Sequence, residues 1–150
     1  MPQSLAKLVV HLIFSTKGRR PLIPKERQPD LNSYLAGILR NLNSPAIIIA
    51  SLPDHVHLLF NLHREQAVSR VVMKLKANSS LWMKKQNPDF NFFSWQNGYG
   101  AFSVSESRVA IVKDYINRQH EHHKKVSFQE ELKNFLEKHH IEYDERYLWD

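Results

Sequence analysis

The stretch Pro53-Asp54-His55-Val56-His57-Leu58-Leu59-Phe60 puts two imidazoles two residues apart. In an extended chain, alternate side chains point to opposite faces. His55, His57 and Leu59 therefore share one face, and Val56, Leu58 and Phe60 share the other. The apolar set can anchor a strand in a core. The two imidazoles then stand about 7 Å apart along the strand, a placement that suits two nitrogen ligands of one divalent ion. The competing reading is a pair of half-buried histidines bonded to backbone. A second stretch, Val112 to His123, carries Tyr115 and Gln119. On a helix, residues four apart lie on the same face. A phenol, with a pKa of about 10, is a poor nucleophile at neutral pH. Beside a metal-polarised phosphodiester it becomes competent and yields a covalent phosphotyrosine. Gln119 offers an oxygen one turn away. The competing reading is an ordinary core or interface tyrosine. His120 points about 100° away from Gln119 round the helix. His123 lies one turn below Gln119 and is expected chiefly at a solvated helix end. His11 is expected to pack near the His55/His57 face.

The elements that must carry these residues follow from periodicity and punctuation. Residues 7–15 are rich in Val, Leu, Ile and Phe and read as a strand, followed by a basic loop at 16–21. Residues 24–42 have apolar residues at helical spacing, stopped by Asn43-Ser44-Pro45. Residues 46–52 and 55–62 read as a hairpin around Pro53-Asp54, and 65–86 as a long helix. Residues 92–104 are aromatic and β-prone and predict a fourth strand or a strand pair. Ser105 is placed to cap a helix running to about residue 123, and 128–139 reads as a last helix. The first six elements spell an α+β, ferredoxin-like split β-α-β-β-α-β antiparallel sheet with helices on one face. A tyrosine-bearing helix and a tail helix follow. The other face or an edge is then expected to be free for a substrate or a second subunit.

The 150 residues suit one domain, 1–150, with an acidic tail at about 130–150. Residues 1–129 hold 18 Lys+Arg against 8 Asp+Glu, and residues 130–150 hold 3 against 7. A basic body invites a polyanion. Arg19, Arg20, Lys74, Lys76, Lys84 and Lys85 are the candidates for contacts to a nucleic-acid backbone. Trp95, Tyr99 and Phe102 could stack unpaired bases or pack in the core. The absence of cysteine excludes disulfides, thiolate metal sites and a cysteine nucleophile. No apolar run approaches the roughly 18 residues of a membrane span, and the start lacks a signal-peptide pattern. The expectation is a cytoplasmic protein with no membrane partner.

Taken in order, His55-Val56-His57 after a hairpin turn, a basic helix, the segment Trp95 to Ser105 and then Tyr115-x-x-x-Gln119 resemble the HUH-type single-tyrosine transposases of bacterial insertion sequences (the IS200/IS605-like group). The resemblance runs from the opening strand, with His11 and Phe14-Ser15-Thr16-Lys17, to the closing stretch at 141–149. It implies an enzyme that cleaves and rejoins single-stranded DNA with hairpin ends. It implies a divalent metal, Mg²⁺ or Mn²⁺, on His55, His57 and Gln119. Tyr115 would attack the scissile phosphate, hold the 5′ end and release a free 3′-OH. A homodimer is implied as well. Imidazole pairs intrinsically favour Zn²⁺, Mn²⁺ or Ni²⁺ over Mg²⁺, so the bound ion need not be the working one. Three alternatives compete. One is a domesticated relative or nickase that processes repeated palindromes. Another is a non-catalytic nucleic-acid-binding module. The third is a zinc hydrolase built from the many histidines.

Overall fold

The computed structural model describes residues 2–146 together with Leu148 and Trp149. Met1, Tyr147 of the closing stretch and Asp150 lie outside the described residues. Four strands form one antiparallel sheet in the order β2-β3-β1-β4. They are β1 (Val9–Ser15), β2 (Ala46–Ser51), β3 (His55–Asn61) and β4 (Gly100–Val104). Helix α1 (Gln28–Asn41) joins β1 to β2, and α2 (Val68–Gln86) joins β3 to β4. This is the split β-α-β-β-α-β order expected of a ferredoxin-like sheet.

Pro29 sits in the first turn of α1, where its missing N–H costs nothing. Leu31, Leu35, Ile38 and Leu39 form the buried stripe of that helix. Asn43, with φ 53°, turns the chain out of it ahead of Pro45. Val71, Val72, Leu75 and Met83 form the matching stripe of α2. Both stripes pack on Val10, Leu12, Phe14, Val56, Leu58 and Phe60, the main core. The strand register explains the division. Ile13 pairs with His57, Ser15 with His55 and His11 with Leu59. Paired residues share a face, so the second face carries three histidines, two of them in β3.

That second face is covered, so of the face or edge expected to be free, the face is not; β2 and β4 remain the outer strands of the sheet. After β4 come α3 (Val109–Asn117), α4 (Gln119–His122) and α5 (Phe128–Lys138). Ile116 of α3 packs with Val9 and Leu59, and Phe128, Leu132 and Leu136 of α5 pack with Ile13 and Phe102. Two further readings need correction. The single helix expected up to residue 123 is broken at Arg118, whose backbone (φ −99°, ψ 14°) leaves the helical region. Ser105 does not cap it; its hydroxyl lies 3.3 Å from that of Ser107. The expected strand at 92–104 is extended only from Gly100, apart from one bridge between Trp95 and Thr16. The chain before Gly100 satisfies its polar groups on side chains instead. Lys76 Nζ donates to the carbonyls of Gln96 (2.8 Å), Asn97 (3.3 Å) and Gly98 (2.7 Å). Trp95 Nε1 donates to Ser79 Oγ at 2.9 Å, and Ser15 N donates to Gln96 Oε1 at 2.7 Å.

Candidate active site

The site lies on the histidine face where β1 and β3 meet α3, α4 and α5. His55 and His57 are 1% and 0% exposed, so neither ring sees bulk water. Each ring is held by its Nδ1. His55 Nδ1 donates to Asp54 Oδ1 at 2.6 Å, and His57 Nδ1 shares a hydrogen bond of 2.9 Å with His11 Nε2. His11 stacks on His57 with ring centroids 5.2 Å apart. Both rings therefore turn Nε2 towards the same interior point. Holding the outer nitrogen with a carboxylate or another polar group is what metal-ligating histidines require of their surroundings. Burial pushes His55 down to about 4, against the opposing hydrogen bond from Asp54. Burial likewise pushes His11 down to about 3, and the neighbouring His57 adds to that effect. At neutral pH both imidazoles are uncharged.

Glu131 of α5 closes the interior point. Its Oε1 lies 3.0 Å from His57 Nε2, 3.2 Å from His123 Nε2 and 3.7 Å from His55 Nε2. Its Oε2 accepts a hydrogen bond from the Tyr115 hydroxyl and lies 3.4 Å from His122 Nε2. One ligand atom each from His55, His57, His123 and Glu131 falls within 4.8 Å of the others. Burial alone would raise the Glu131 carboxyl. Hydrogen bonds from His123 and His57 outweigh it and hold the group far below the usual carboxylate range. His123 moves up, because the hydrogen bond and charge of Glu131 prevail over burial.

The tyrosine expected to do the chemistry is brought to this cluster within one chain. The Tyr115 ring centroid is 6.1 Å from that of His57, and the hydroxyl lies 3.2 Å from His122 Nε2. Burial raises the phenol above its ordinary value, and the Glu131 charge raises it further; the Gln119 amide opposes this weakly. With Glu131 as its neighbour the phenol keeps its proton. Gln119 is fully buried beneath this helix, with its Nε2 3.4 Å from the Tyr115 carbonyl. Among the described residues, Gln119 Oε1 and Asn61 Oδ1 are the buried side-chain acceptors without a partner. A buried acceptor left open needs a donor or an ion, and Gln119 Oε1 is one such acceptor. A cavity of about 300 Å³ reaches the site from outside, lined by Tyr115, His122 and Glu131 within and by Arg108 and Lys138 among its other residues.

The basic candidates scatter. Arg20, Lys84 and Lys85 are exposed, and Lys74 is half-buried. Arg19 lies over the Trp149 ring at 5.0 Å from its centroid. Lys76 is committed to the three carbonyls it binds, beside Phe14 and Tyr99. The aromatic candidates divide too: Trp95 and Phe102 are core, and Tyr99 is 43% exposed. Sequence reasoning passed over Glu131, gave His122 no role beside Tyr115 and expected His123 chiefly at a solvated helix end, whereas His123 turns into the cluster. For Glu131 a signal existed. It lies among Phe128, Leu132, Phe135 and Leu136, at the apolar spacing of its own helix. A carboxylate in such a stripe must find partners.

The family model described as "Transposase IS200 like" matches residues 4–119. The ISDra2 transposase TnpA of Deinococcus radiodurans is 30% identical over 120 residues, covering 77% of this chain and 86% of its own. The transposase of insertion sequence element IS200 from Salmonella typhimurium is 29% identical over 119 residues, covering 76% of this chain and 78% of its own. A transposase from Deinococcus radiodurans R1, solved by crystallography, superposes with a TM-score of 0.62 at 27% identity, covering 79% of this chain and 98% of its own. A REP-associated tyrosine transposase bound to a REP hairpin shares the fold, with a TM-score of 0.61 at 15% identity over 84% of this chain and 74% of its own. With the histidine pair, the tyrosine helix and the sheet order in place, the match over residues 4–119 makes this chain a member of the IS200-like transposase family.

Proposed function

We propose that this protein cleaves and rejoins single-stranded DNA at insertion-sequence ends through a covalent 5′-phosphotyrosine on Tyr115. His55, His57 and Gln119 would hold a divalent metal, Mg²⁺ or Mn²⁺. The observation that carries the reading is the meeting of the Tyr115 hydroxyl and the His55/His57 pair on the two oxygens of one carboxylate, Glu131. The donor set suits a metal because both imidazoles offer Nε2 from pinned rings, and Gln119 Oε1 is a buried acceptor without a partner. When bound, such an ion neutralises and polarises the scissile phosphate.

The chain's own residues then have distinct tasks. The Tyr115 oxygen forms the new bond to phosphorus, and the bond from phosphorus to the 3′ oxygen breaks. The 3′ oxygen leaves as a hydroxyl once it gains a proton. The phenolic proton has two acceptors facing it, Glu131 Oε2 and His122 Nε2. Burial lowers His122, which favours its unprotonated, accepting form. Rejoining reverses the step, with a 3′-OH attacking the phosphotyrosine. The ester keeps the bond free energy, so no nucleotide cofactor is needed. Strand entry past Arg108 and Lys138 is consistent with the cavity that reaches Tyr115.

Hairpin DNA as the partner is supported by the structural neighbour held on a REP hairpin and by the exposed Arg20, Lys84 and Lys85. The proposal includes a single functional domain, a homodimer and a cytoplasmic setting. No helix among the described residues is long and apolar enough to cross a membrane. The test is a suicide oligonucleotide carrying the element end, incubated with Mn²⁺ or Mg²⁺. A denaturation-resistant protein–DNA adduct is expected from the wild type, and none after chelation or with Tyr115→Phe. An adduct that persists in Tyr115→Phe would overturn the assignment of the nucleophile. Turnover of small phosphodiesters without any adduct would favour the hydrolase alternative.

A further inference from the structure

The family match ends at residue 119, and both His123 and Glu131 come after it. Yet these two residues complete the ring of donors around the histidine pair. A tetrahedral ion with bonds of about 2.0–2.1 Å to nitrogen and oxygen spaces its ligand atoms about 3.4 Å apart. Four of the six spacings between His55, His57, His123 and Glu131 bracket that value. They are 3.1 Å (His55–His123), 3.0 Å (His57–Glu131), 3.2 Å (His123–Glu131) and 3.7 Å (His55–Glu131). All six lie within 4.8 Å. The surroundings match as well: Asp54 and His11 hold the outer nitrogens of His55 and His57, and the Glu131 oxygen not used for ligation is held by Tyr115 and His122.

We infer that His55, His57, His123 and Glu131 form a closed four-ligand site for a borderline divalent ion of the zinc class. This site shares His55 and His57 with the open one proposed for catalysis and has His123 and Glu131 where that one has Gln119 and open positions. Three imidazoles and one carboxylate select Zn²⁺ or Co²⁺, whereas Mg²⁺ prefers oxygen ligands and octahedral geometry. The inference rests on the reading of His55 and His57 as a metal cradle. It adds that the two C-terminal ligands fill the remaining positions. The ion would then staple α4 and α5 to β3, and Glu131 is the ligand that a DNA phosphate has to displace.

The test uses the full chain, freed of metal by a chelator and titrated with Co²⁺, with visible absorption as the readout. Zn²⁺ and Mg²⁺ serve as competitors. Wild type is expected to give the intense absorption of tetrahedral Co²⁺, displaced by Zn²⁺ and not by Mg²⁺. His123→Ala and Glu131→Gln are expected to weaken binding at least about tenfold and to lose the tetrahedral spectrum, since even outer-shell changes cost that much. His123 is partly exposed, so its alanine variant tests the site even if Glu131→Gln fails to fold. Wild-type affinity and spectrum in His123→Ala would overturn the inference. So would an octahedral spectrum in the wild type. In either case the Mn²⁺-dependent adduct on Tyr115 can persist, and the transposase reading then stands alone. A tetrahedral, His123-dependent spectrum in a protein that forms no adduct would leave the site standing and sink the catalytic reading.

Discussion

The two faces of the sheet are built from the same strands and do opposite work. On one, Leu12, Phe14, Leu58 and Phe60 meet α1 and α2 in an apolar core. On the other, His11, His55 and His57 meet Tyr115, His123 and Glu131 under helices that are shorter and arrive later in the chain. The strand residues of both faces are buried, but a cavity opens the second at Tyr115 and His122. The first gains stability from apolar burial. The second buries polar groups and offsets their desolvation by pairing its histidines, Tyr115 and Glu131 with one another, leaving Gln119 Oε1 open. Such a face holds donors in fixed positions, and its stability depends on their protonation.

Breaking the chemical face should cost the most in activity and little in folding. Tyr115→Phe removes one hydroxyl from a carboxylate that keeps its histidine partners. Adduct formation should fall by at least about 10³-fold. The thermal midpoint should move by only a few degrees, equivalent to about 1 kcal/mol. Because the Tyr115 and His57 rings meet within one chain, mixing His57→Ala with Tyr115→Phe protein should restore no adduct. Recovery on mixing would show that the site is shared between subunits. The apolar face should behave in reverse. Phe60→Ala is expected to cost about 3–5 kcal/mol in chemical denaturation, while the folded fraction retains metal binding.

Acid should separate the faces next. His11 and His55, lowered from 6.5 to about 3 and about 4, stay neutral in the folded chain while the unfolded chain takes up protons below 6.5. Stability of the metal-free protein should therefore fall as pH drops from 6.5 towards 4. His123, raised in the fold, acts in the opposite sense and is outnumbered. A melting temperature that stays flat across that window would contradict the paired, neutral histidines. The smallest effect belongs to Lys76→Met, which removes the donor that gathers three carbonyls before β4. A loss of about 1–3 kcal/mol is expected, with hydrogen exchange rising at residues 96–98.

The histidine pair was legible because strand periodicity is local: alternate residues share a face whatever lies beyond. The same rule exposed the apolar partners Val56, Leu58 and Phe60, and helical spacing placed Tyr115 above Gln119. The irregular chain before Gly100 was not legible. Lys76, some twenty residues earlier, satisfies its carbonyls, and no propensity of residues 92–99 encodes a distant ammonium. Nor was the break at Arg118, where the chain leaves the helix before α4 delivers His123 to the sheet. Glu131 left a trace in the apolar stripe of α5, but the stripe says only that partners exist and not which ones.

By itself, then, the order of residues determined the strand and helix periods, the sheet order they imply, the imidazole pair on one face and the family to which the chain is similar. Those properties depend on neighbours within a few positions, or on motifs kept in sequence. Only the tertiary structure decided that α3 to α5 fold back over the histidine face, and that one buried carboxylate touches both the cradle and the phenol. Residues 57 and 131 lie far apart along the chain. Their meeting follows from which apolar surfaces remain uncovered once α1 and α2 have taken the other side of the sheet.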